Sequence, residues 1–298
     1  MFERCCENRS TEPYSLTHNP KPISVSADMD RIVKEILWYV PNISSYQSPK
    51  NDLVEDKLYD DFSFTYILNQ MGMNEDTDVL YLSNNDCVSD EDWEFYEEKI
   101  CTNCQKMIIT AYSSQSKTNN MLRCLRNCVA HGQFTIVGDY LVGFNRQSLP
   151  NGPKKAVIKI KPELLLNALK SLMSPLAKEK LISYALERVG YTVTDGMSYR
   201  GRPGENWRFD LIAEKDNRKY VIEIKDYRGT RYLHKKDLVK FVDLSDQLLP
   251  DTERVLFIDT SYVTKDVREW TAETDNFKIV DIRDIRQLLA DEPVDILE

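Results

Sequence analysis

Two β-rich stretches on either side of a short polar turn constrain the fold of this 298-residue chain more than any other feature. Residues 207–213 have the sequence Trp-Arg-Phe-Asp-Leu-Ile-Ala, and residues 220–225 have the sequence Tyr-Val-Ile-Glu-Ile-Lys. Between them, Asp216 and Asn217 suit a two-residue hairpin loop, because both residue types tolerate positive φ angles. The pattern therefore predicts an antiparallel strand pair whose register is fixed by the turn.

That register brings two acidic side chains together. Counting outward from the loop places Asp210 opposite Glu223, with Cβ atoms roughly 4.5–5.5 Å apart. Two carboxylates this close repel each other unless a cation lies between them, and carboxylates suit Mg²⁺ or Mn²⁺. Lys225 shares the face of Glu223, so its ammonium could hold a phosphate or the attacking water. The pattern predicts metal-dependent phosphodiester hydrolysis, with Asp210 and Glu223 as metal ligands and Lys225 as their catalytic partner.

The surroundings of these charges decide between two interpretations. An exposed hairpin could carry them as ordinary surface charges. However, helices and strands alternate along residues 174–298, which indicates a mixed sheet with helices on its faces. A strand inside such a sheet is covered on both faces, where charges are costly unless they have a function. This favours the interpretation as a functional site.

Residues 175–285 resemble the Mrr-like branch of the PD-(D/E)xK restriction-endonuclease superfamily. The resemblance rests on Phe209-Asp-Leu-Ile-Ala213, on Val221-Ile-Glu-Ile-Lys225, and on a preceding helix that ends in Val189-Gly-Tyr-Thr-Val193. It implies an αβββαβ core and metal-dependent cleavage, usually of DNA.

The same resemblance implies a further metal ligand. Members of this family often carry a glutamate early in the helix that precedes the strands. Glu179 matches that position, and Glu187 is the nearer rival in the same helix. Both alternatives stay open from the sequence.

The charge of the chain is unevenly distributed. A formal net charge of −9 argues against nucleic acid as a partner of the whole surface. Acidic residues crowd residues 52–98, whereas residues 200–236 are locally basic. Because a groove binds through its local field, DNA or RNA is still expected at this segment. The expected nucleic-acid-binding residues are Arg200, Arg202, Arg208, Arg228, Arg231, Lys235 and Lys236.

A second constellation, Arg126, Asn127 and His131, lies at the end of a predicted helix. One interpretation is an ordinary helix end, since the helix dipole favours a cation near its C-terminus. The other is metal-independent RNA cleavage. Histidine can act as a general base or acid at neutral pH, and arginine can stabilise an anionic transition state.

The run Arg126-Asn-Cys-Val-Ala-His131 resembles the RNxxxH form of the HEPN-superfamily motif. The resemblance implies a mainly α-helical domain over residues 25–173, here with a small β-hairpin. It also implies a homodimer in which two Arg–His pairs form one composite RNA-cleaving site that needs no cofactor.

Apolar spacing and turn residues give the predicted layout. Residues 1–24 are a flexible arm, residues 25–173 the HEPN-like domain, and residues 174–298 the nuclease domain. The helices predicted in the first domain are 27–39, 52–71, 90–111, 117–130 and 163–172. A strand pair is predicted over residues 134–144, around Gly138, and another strand over residues 156–160.

The seven cysteines argue against a disulfide framework, since their number is odd in a long chain. Cys101, Cys104, Cys124 and Cys128 could form a zinc site. Both pairs fall in stretches predicted to be helical, however, which favours buried thiols.

The N-terminus lacks an apolar signal segment, and the chain lacks a run of about 18 apolar residues. A cytoplasmic protein without membrane contact is therefore expected. Three functions stay open: a two-nuclease effector of prokaryotic anti-phage or plasmid defence, with a defence-system partner or trigger; a DNase whose HEPN domain only dimerises or senses; and a non-catalytic nucleic-acid-binding subunit.

Overall fold

In a computed structural model, the chain divides into two units, Met1–Met173 and Ser174–Glu298. The structure describes residues 2–5, 11–13, 25–40, 52–112, 114–148, 151–196, 198–200, 206–225, 227, 231–290 and 292–298. Of the predicted arm, only residues 2–5 and 11–13 are among them.

The first unit alternates helices and strands. Its helices are α1 (Ala27–Trp38), α2 (Asp52–Glu55), α3 (Asp60–Gln70), α4 (Glu75–Asp78), α5 (Asp90–Glu98), α6 (Lys117–Ala130) and α7 (Pro162–Leu172). Its strands are β1 (Thr11–Pro13), β2 (Val79–Leu82), β3 (Lys99–Cys101), β4 (Lys106–Thr110), β5 (Phe134–Val137), β6 (Tyr140–Arg146) and β7 (Lys154–Ile160).

A five-stranded mixed sheet of order β2-β4-β7-β6-β5 is the centre of this unit. β2 and β4 are parallel, and the other neighbours are antiparallel. β5 and β6 form the predicted hairpin around Gly138, whose φ is +57°. The expectation of a mainly helical domain with a small hairpin is wrong, because that hairpin belongs to a larger sheet.

The predicted helix over residues 90–111 is also wrong beyond Glu98. Residues 99–101 and 106–110 form β3 and β4, and every residue of β4 is buried. A short apolar run that includes Ile108 and Ile109 fits a doubly covered strand as well as a buried helix. Similarly, the helix predicted over residues 52–71 is split, because a 3₁₀ turn over Lys57–Tyr59, capped by Asp56, separates α2 from α3.

Gly143 on β6 allows the close approach of α6 to the sheet. A Cβ atom at this position would lie 2.9 Å from the Cβ of Cys128 on α6. We therefore expect Gly143→Val to lower the free energy of unfolding by about 1–2 kcal/mol through overpacking. The measurement is urea unfolding followed by far-UV circular dichroism and tryptophan fluorescence. Gly138→Asn is the control, since its site has open space and asparagine tolerates positive φ. An equal effect of both variants would contradict this packing argument.

The second unit contains the helices α8 (Pro175–Arg188), α9 (Lys235–Leu248), α10 (Lys265–Ala272) and α11 (Ile285–Leu288). Its strands are β8 (Thr192–Asp195), β9 (Ser198–Arg200), β10 (Asn206–Arg208), β11 (Leu211–Lys215), β12 (Arg218–Lys225), β13 (Glu253–Ile258) and β14 (Phe277–Asp281).

A second five-stranded mixed sheet has the order β14-β13-β12-β11-β8. β8, β11 and β12 are antiparallel neighbours, and β12, β13 and β14 are parallel neighbours. Helix α9 covers one face through Phe241, which packs with Phe209 and Val221. The result is the expected mixed α/β sheet with β12 at its centre.

The predicted register of the β11–β12 hairpin is confirmed. Lys215 pairs with Arg218 and Leu211 with Ile222, and the turn residues Asp216 and Asn217 have φ angles of 50° and 63°. The strand predicted over residues 207–213 is interrupted, however. Its first part, β10, pairs with β9 in a separate two-stranded ribbon.

Across the residues that the structure describes, no helix is long and apolar enough to cross a membrane.

Candidate active site

Glu223 lies on β12, between β11 and β13, and is only 4% exposed. Its Oε1 atom accepts a hydrogen bond from the Nζ atom of Lys225, two residues further along the strand. Its Oε2 atom is buried and has no hydrogen-bond partner among the described residues. A buried carboxylate oxygen without a hydrogen-bond donor or a nearby cation is costly in free energy, and such an atom in a native protein calls for an explanation.

Asp210 lies immediately before β11, one position beyond the pair formed by Leu211 and Ile222. Its Oδ2 atom accepts a hydrogen bond of 2.6 Å from the backbone N–H of Ile224. This contact across the hairpin fixes the Asp210 carboxylate between the positions of Glu223 and Lys225. Burial raises the pKa of Asp210, while the Ile224 N–H and the charge of Lys225 act in the opposite direction.

Glu179 approaches the same place from α8. Burial raises its pKa, and the negative charge of Asp210 adds to this effect. Its Oε2 atom lies 3.6 Å from an Nη2 atom of Arg208. The rival glutamate, Glu187, is exposed at the far end of α8, where its carboxylate accepts a hydrogen bond from Ser183.

An open cleft of about 440 Å³ lies over these groups. Asp210, Lys225 and Glu179 line it, and Glu223 is buried beside them. The lining also contains residues that the sequence did not single out, namely Lys178, Ile224, Tyr227 and Asp237. Of these residues, only Tyr227 could have been expected from the sequence, because it lies two residues beyond Lys225.

The three carboxylates repel one another in this cleft. Burial, together with the negative charges of Asp210 and Glu179, raises the pKa of Glu223 to about 7 against the attraction of Lys225. A divalent cation would relieve this repulsion and give Glu223 Oε2 a partner, and oxygen donors suit Mg²⁺ or Mn²⁺. Among the described residues, the three carboxylates do not all lie within 4.8 Å of one another. Asp210, Glu223 and Glu179 are the residues of this cleft whose oxygens could hold such a cation.

Four of the predicted basic residues have side chains in the part of the chain that the structure describes. Arg231 lines the cleft and stacks on Tyr227, with 4.9 Å between the guanidinium and the ring centre. Arg208 is exposed beside Glu179. Lys235 and Lys236 are exposed at the start of α9. Arg202 and Arg228 lie outside the described residues, as does the side chain of Arg200.

The second constellation is placed at the end of α6, as predicted. Arg126 is partly buried and donates two hydrogen bonds, of 3.3 and 2.9 Å, to the Oδ1 atom of Asn127. His131 is the exposed C-cap residue. The HEPN resemblance is thereby limited to the motif itself, because the unit around it is built on a five-stranded sheet.

The four cysteines considered as a possible zinc site, Cys101, Cys104, Cys124 and Cys128, do not form one cluster. Cys124 and Cys128 are fully buried on α6, and burial raises the pKa of both thiols, that of Cys124 to about 11. Cys101 and Cys104 instead lie next to Cys5, a residue that the sequence reasoning missed. The sequence did not show this grouping because the residues of β3 and β4 were predicted to be helical.

Residues 170–289 match the Mrr_cat family, described as restriction endonuclease. This region contains almost all of the second unit, including Glu179, Asp210, Glu223 and Lys225. The second unit is therefore similar to endonucleases of restriction-endonuclease type, a family that generally uses divalent metal ions. No match was found among curated proteins.

Solved structures give only a distant likeness. A protein of unknown function, AF1548, is 15% identical with a TM-score of 0.28, covering 34% of this chain and 56% of its own. Can2 from Sulfobacillus thermosulfidooxidans, solved with cyclic tetra-adenylate, is 13% identical with a TM-score of 0.33, covering 48% and 46%. A repair endonuclease from Pyrococcus abyssi is 13% identical with a TM-score of 0.25, covering 50% and 63%.

The chain thus spans about half the length of the first two structures that it matches. At these TM-scores the likeness carries no argument about activity.

Proposed function

We propose that the second unit cleaves DNA by metal-dependent hydrolysis at the site formed by Asp210, Glu223, Lys225 and Glu179. One observation carries the proposal, namely the buried, unpartnered Oε2 atom of Glu223 beside two further carboxylates that line an open cleft. A purely structural glutamate at the centre of a sheet would be expected to have all its oxygens paired. The restriction-endonuclease match supports the same reaction class.

Each residue has a separate task in the proposed reaction. Asp210 and Glu223 hold the cation, and the Ile224 N–H keeps the Asp210 carboxylate in place. When bound, the cation supplies an activated water and stabilises charge on the phosphate. Lys225 lines the cleft with its ammonium beside Glu223, where it can hold the scissile phosphate or orient the water. Attack by water breaks a P–O bond and leaves a phosphate monoester and a hydroxyl group.

The experiment uses the full chain with supercoiled plasmid, linear duplex, single-stranded DNA and RNA. We expect nicks or breaks in DNA with Mg²⁺ or Mn²⁺, and no product when EDTA is in excess. Cleavage that continues in EDTA, or no cleavage of any DNA with either metal, would contradict the proposal.

Arg231 is proposed to hold the DNA backbone at the edge of the cleft, since it is exposed and stacked on Tyr227. We expect Arg231→Glu to weaken duplex binding about tenfold and to lower the salt dependence of the affinity. Lys219→Glu is the control, because Lys219 pairs with Glu214 near the hairpin turn, outside the cleft. Fluorescence anisotropy in Ca²⁺ measures both, and equal losses would contradict a backbone contact at Arg231.

The RNA-cleaving role of Arg126, Asn127 and His131 stays a prediction, as do the homodimer and the role in defence. The RNA-cleaving role is supported by the motif and by the exposure of His131 at the end of α6. RNA cleavage that resists EDTA and disappears in His131→Ala is the expected result. Its absence would leave the first unit as a binding or sensing module.

A further inference from the structure

Three thiols of the first unit converge outside the nuclease site. The Sγ atoms of Cys5, Cys101 and Cys104 all lie within 4.8 Å of one another. Among the described residues, this is the one group of three potential metal ligands that lies so close together, and none of its members forms a disulfide. Four sulfurs around a tetrahedral zinc ion, each bonded at about 2.3 Å, are separated by about 3.8 Å. The observed cluster is therefore close to a ligating arrangement.

The backbone around the cluster fixes all three positions. Cys101 ends β3, and Cys104 follows in the short turn that leads into β4. Cys5 is held there by its neighbour Arg4, which pairs with Asp92 and Glu91 of α5 and whose carbonyl accepts a hydrogen bond from the Tyr96 hydroxyl. The convergence thus depends on three separate parts of the fold.

A buried cation faces these thiols. Lys159 on β7 is 1% exposed, and its Nζ atom donates to the Sγ of Cys104 at 3.3 Å and to the Cys101 carbonyl at 2.9 Å. The paired residue on β4, Lys106, is neutralised by Asp78 at 2.7 Å. Within the part of the chain that the structure describes, Lys159 meets no carboxylate, and a buried charge without a counter-charge is costly.

We propose that Cys5, Cys101 and Cys104 bind one Zn²⁺ ion as thiolates, with Lys159 as the neutralising cation. Three thiols release three protons on binding, so the zinc–thiolate group carries a single negative charge that matches the ammonium. The Lys159 Nζ–H then donates to a metal-bound sulfur, which is the usual outer contact of such a ligand. The partly exposed Cys5 and Cys104 leave the fourth position open to water or a small ligand. The ion fastens the N-terminal segment to the β3–β4 turn.

The test measures zinc in the full chain purified with a reducing agent, by elemental analysis, and then replaces it with Co²⁺. We expect about one zinc per chain and, with Co²⁺, a thiolate charge-transfer band together with the intense visible bands of a tetrahedral site. Titration of the metal-stripped wild-type chain needs no variant, so the result does not depend on whether a cysteine variant folds.

Variants identify the ligands. We expect Cys5→Ser, Cys101→Ser and Cys104→Ser each to lose at least about tenfold in zinc affinity. Cys87→Ser is the matched control, because Cys87 is exposed and lies outside the cluster. Asp210→Ala is expected to keep the zinc, which separates this site from the nuclease site. The absence of a thiolate band, a Cys101–Cys104 disulfide in place of metal, or zinc retained in all three serine variants would overturn the proposal. None of these results would affect the proposed nuclease.

Discussion

Replacement of Glu223 by glutamine is expected to lower metal-dependent DNA cleavage by about 10³-fold or more, while the fold is kept. Glutamine has the same shape, so the central strand keeps its packing. It removes the negative charge that holds the cation, and its amide nitrogen presents a donor where the metal needs an oxygen lone pair. The measurement is the single-turnover rate of plasmid cleavage with saturating protein and Mg²⁺.

Glu214→Gln is the matched control for this prediction. Glu214 lies on β11 of the same hairpin, but it is exposed and pairs with Lys219. We expect its cleavage rate to stay within about twofold of the wild type, since it touches no part of the cleft. A Glu223→Gln variant that cleaves at the control rate would show that the reaction occurs elsewhere in the chain.

In the metal-free protein, the ionised Glu223 is expected to destabilise the fold as the pH rises. Burial moves its pKa in the folded state to about 7 from an ordinary value of 4.5. A carboxyl group with a raised folded pKa contributes stability at low pH that is lost as the pH rises through the folded value. Between about pH 5 and about pH 8, the wild type should therefore lose about 1–3 kcal/mol relative to Glu223→Gln.

Urea unfolding of both proteins in EDTA, at the two pH values, measures this difference. Comparison with the variant cancels the titration of the other groups in the chain. Addition of Mg²⁺ at the higher pH should then stabilise the wild type and leave the variant unchanged, because a ligand stabilises only the state that binds it. Parallel pH profiles for the two proteins would contradict the burial of a charged Glu223.

The second unit could be predicted well because its signals are local. The Asp216–Asn217 turn fixes the register of β11 and β12, and that register alone brings Asp210 opposite Glu223. The sequence could not show how deeply the site residues are buried. The unpartnered Oε2 of Glu223 and the contact between Asp210 and the Ile224 N–H depend on how the whole sheet packs.

The first unit was predicted less well, above all at β4, which is short and fully buried. Every residue of β4 is covered, so the alternation that marks a half-exposed strand is missing and helical spacing fits equally well. The Arg126–His131 motif then favoured a mainly helical domain with one small hairpin over the observed five-stranded sheet. The same error placed Cys101 and Cys104 on a helix, which concealed their convergence with Cys5 through long-range contacts of Arg4 and Tyr96.

The most direct test of the central claim is the position of a bound metal. A crystal of the protein soaked in Mn²⁺ should show an anomalous peak about 2.0–2.3 Å from an Asp210 oxygen and from Glu223 Oε2. The peak should be absent in Glu223→Gln. A wild-type protein that cleaves DNA with Mn²⁺ while its manganese lies away from both carboxylates would contradict the account.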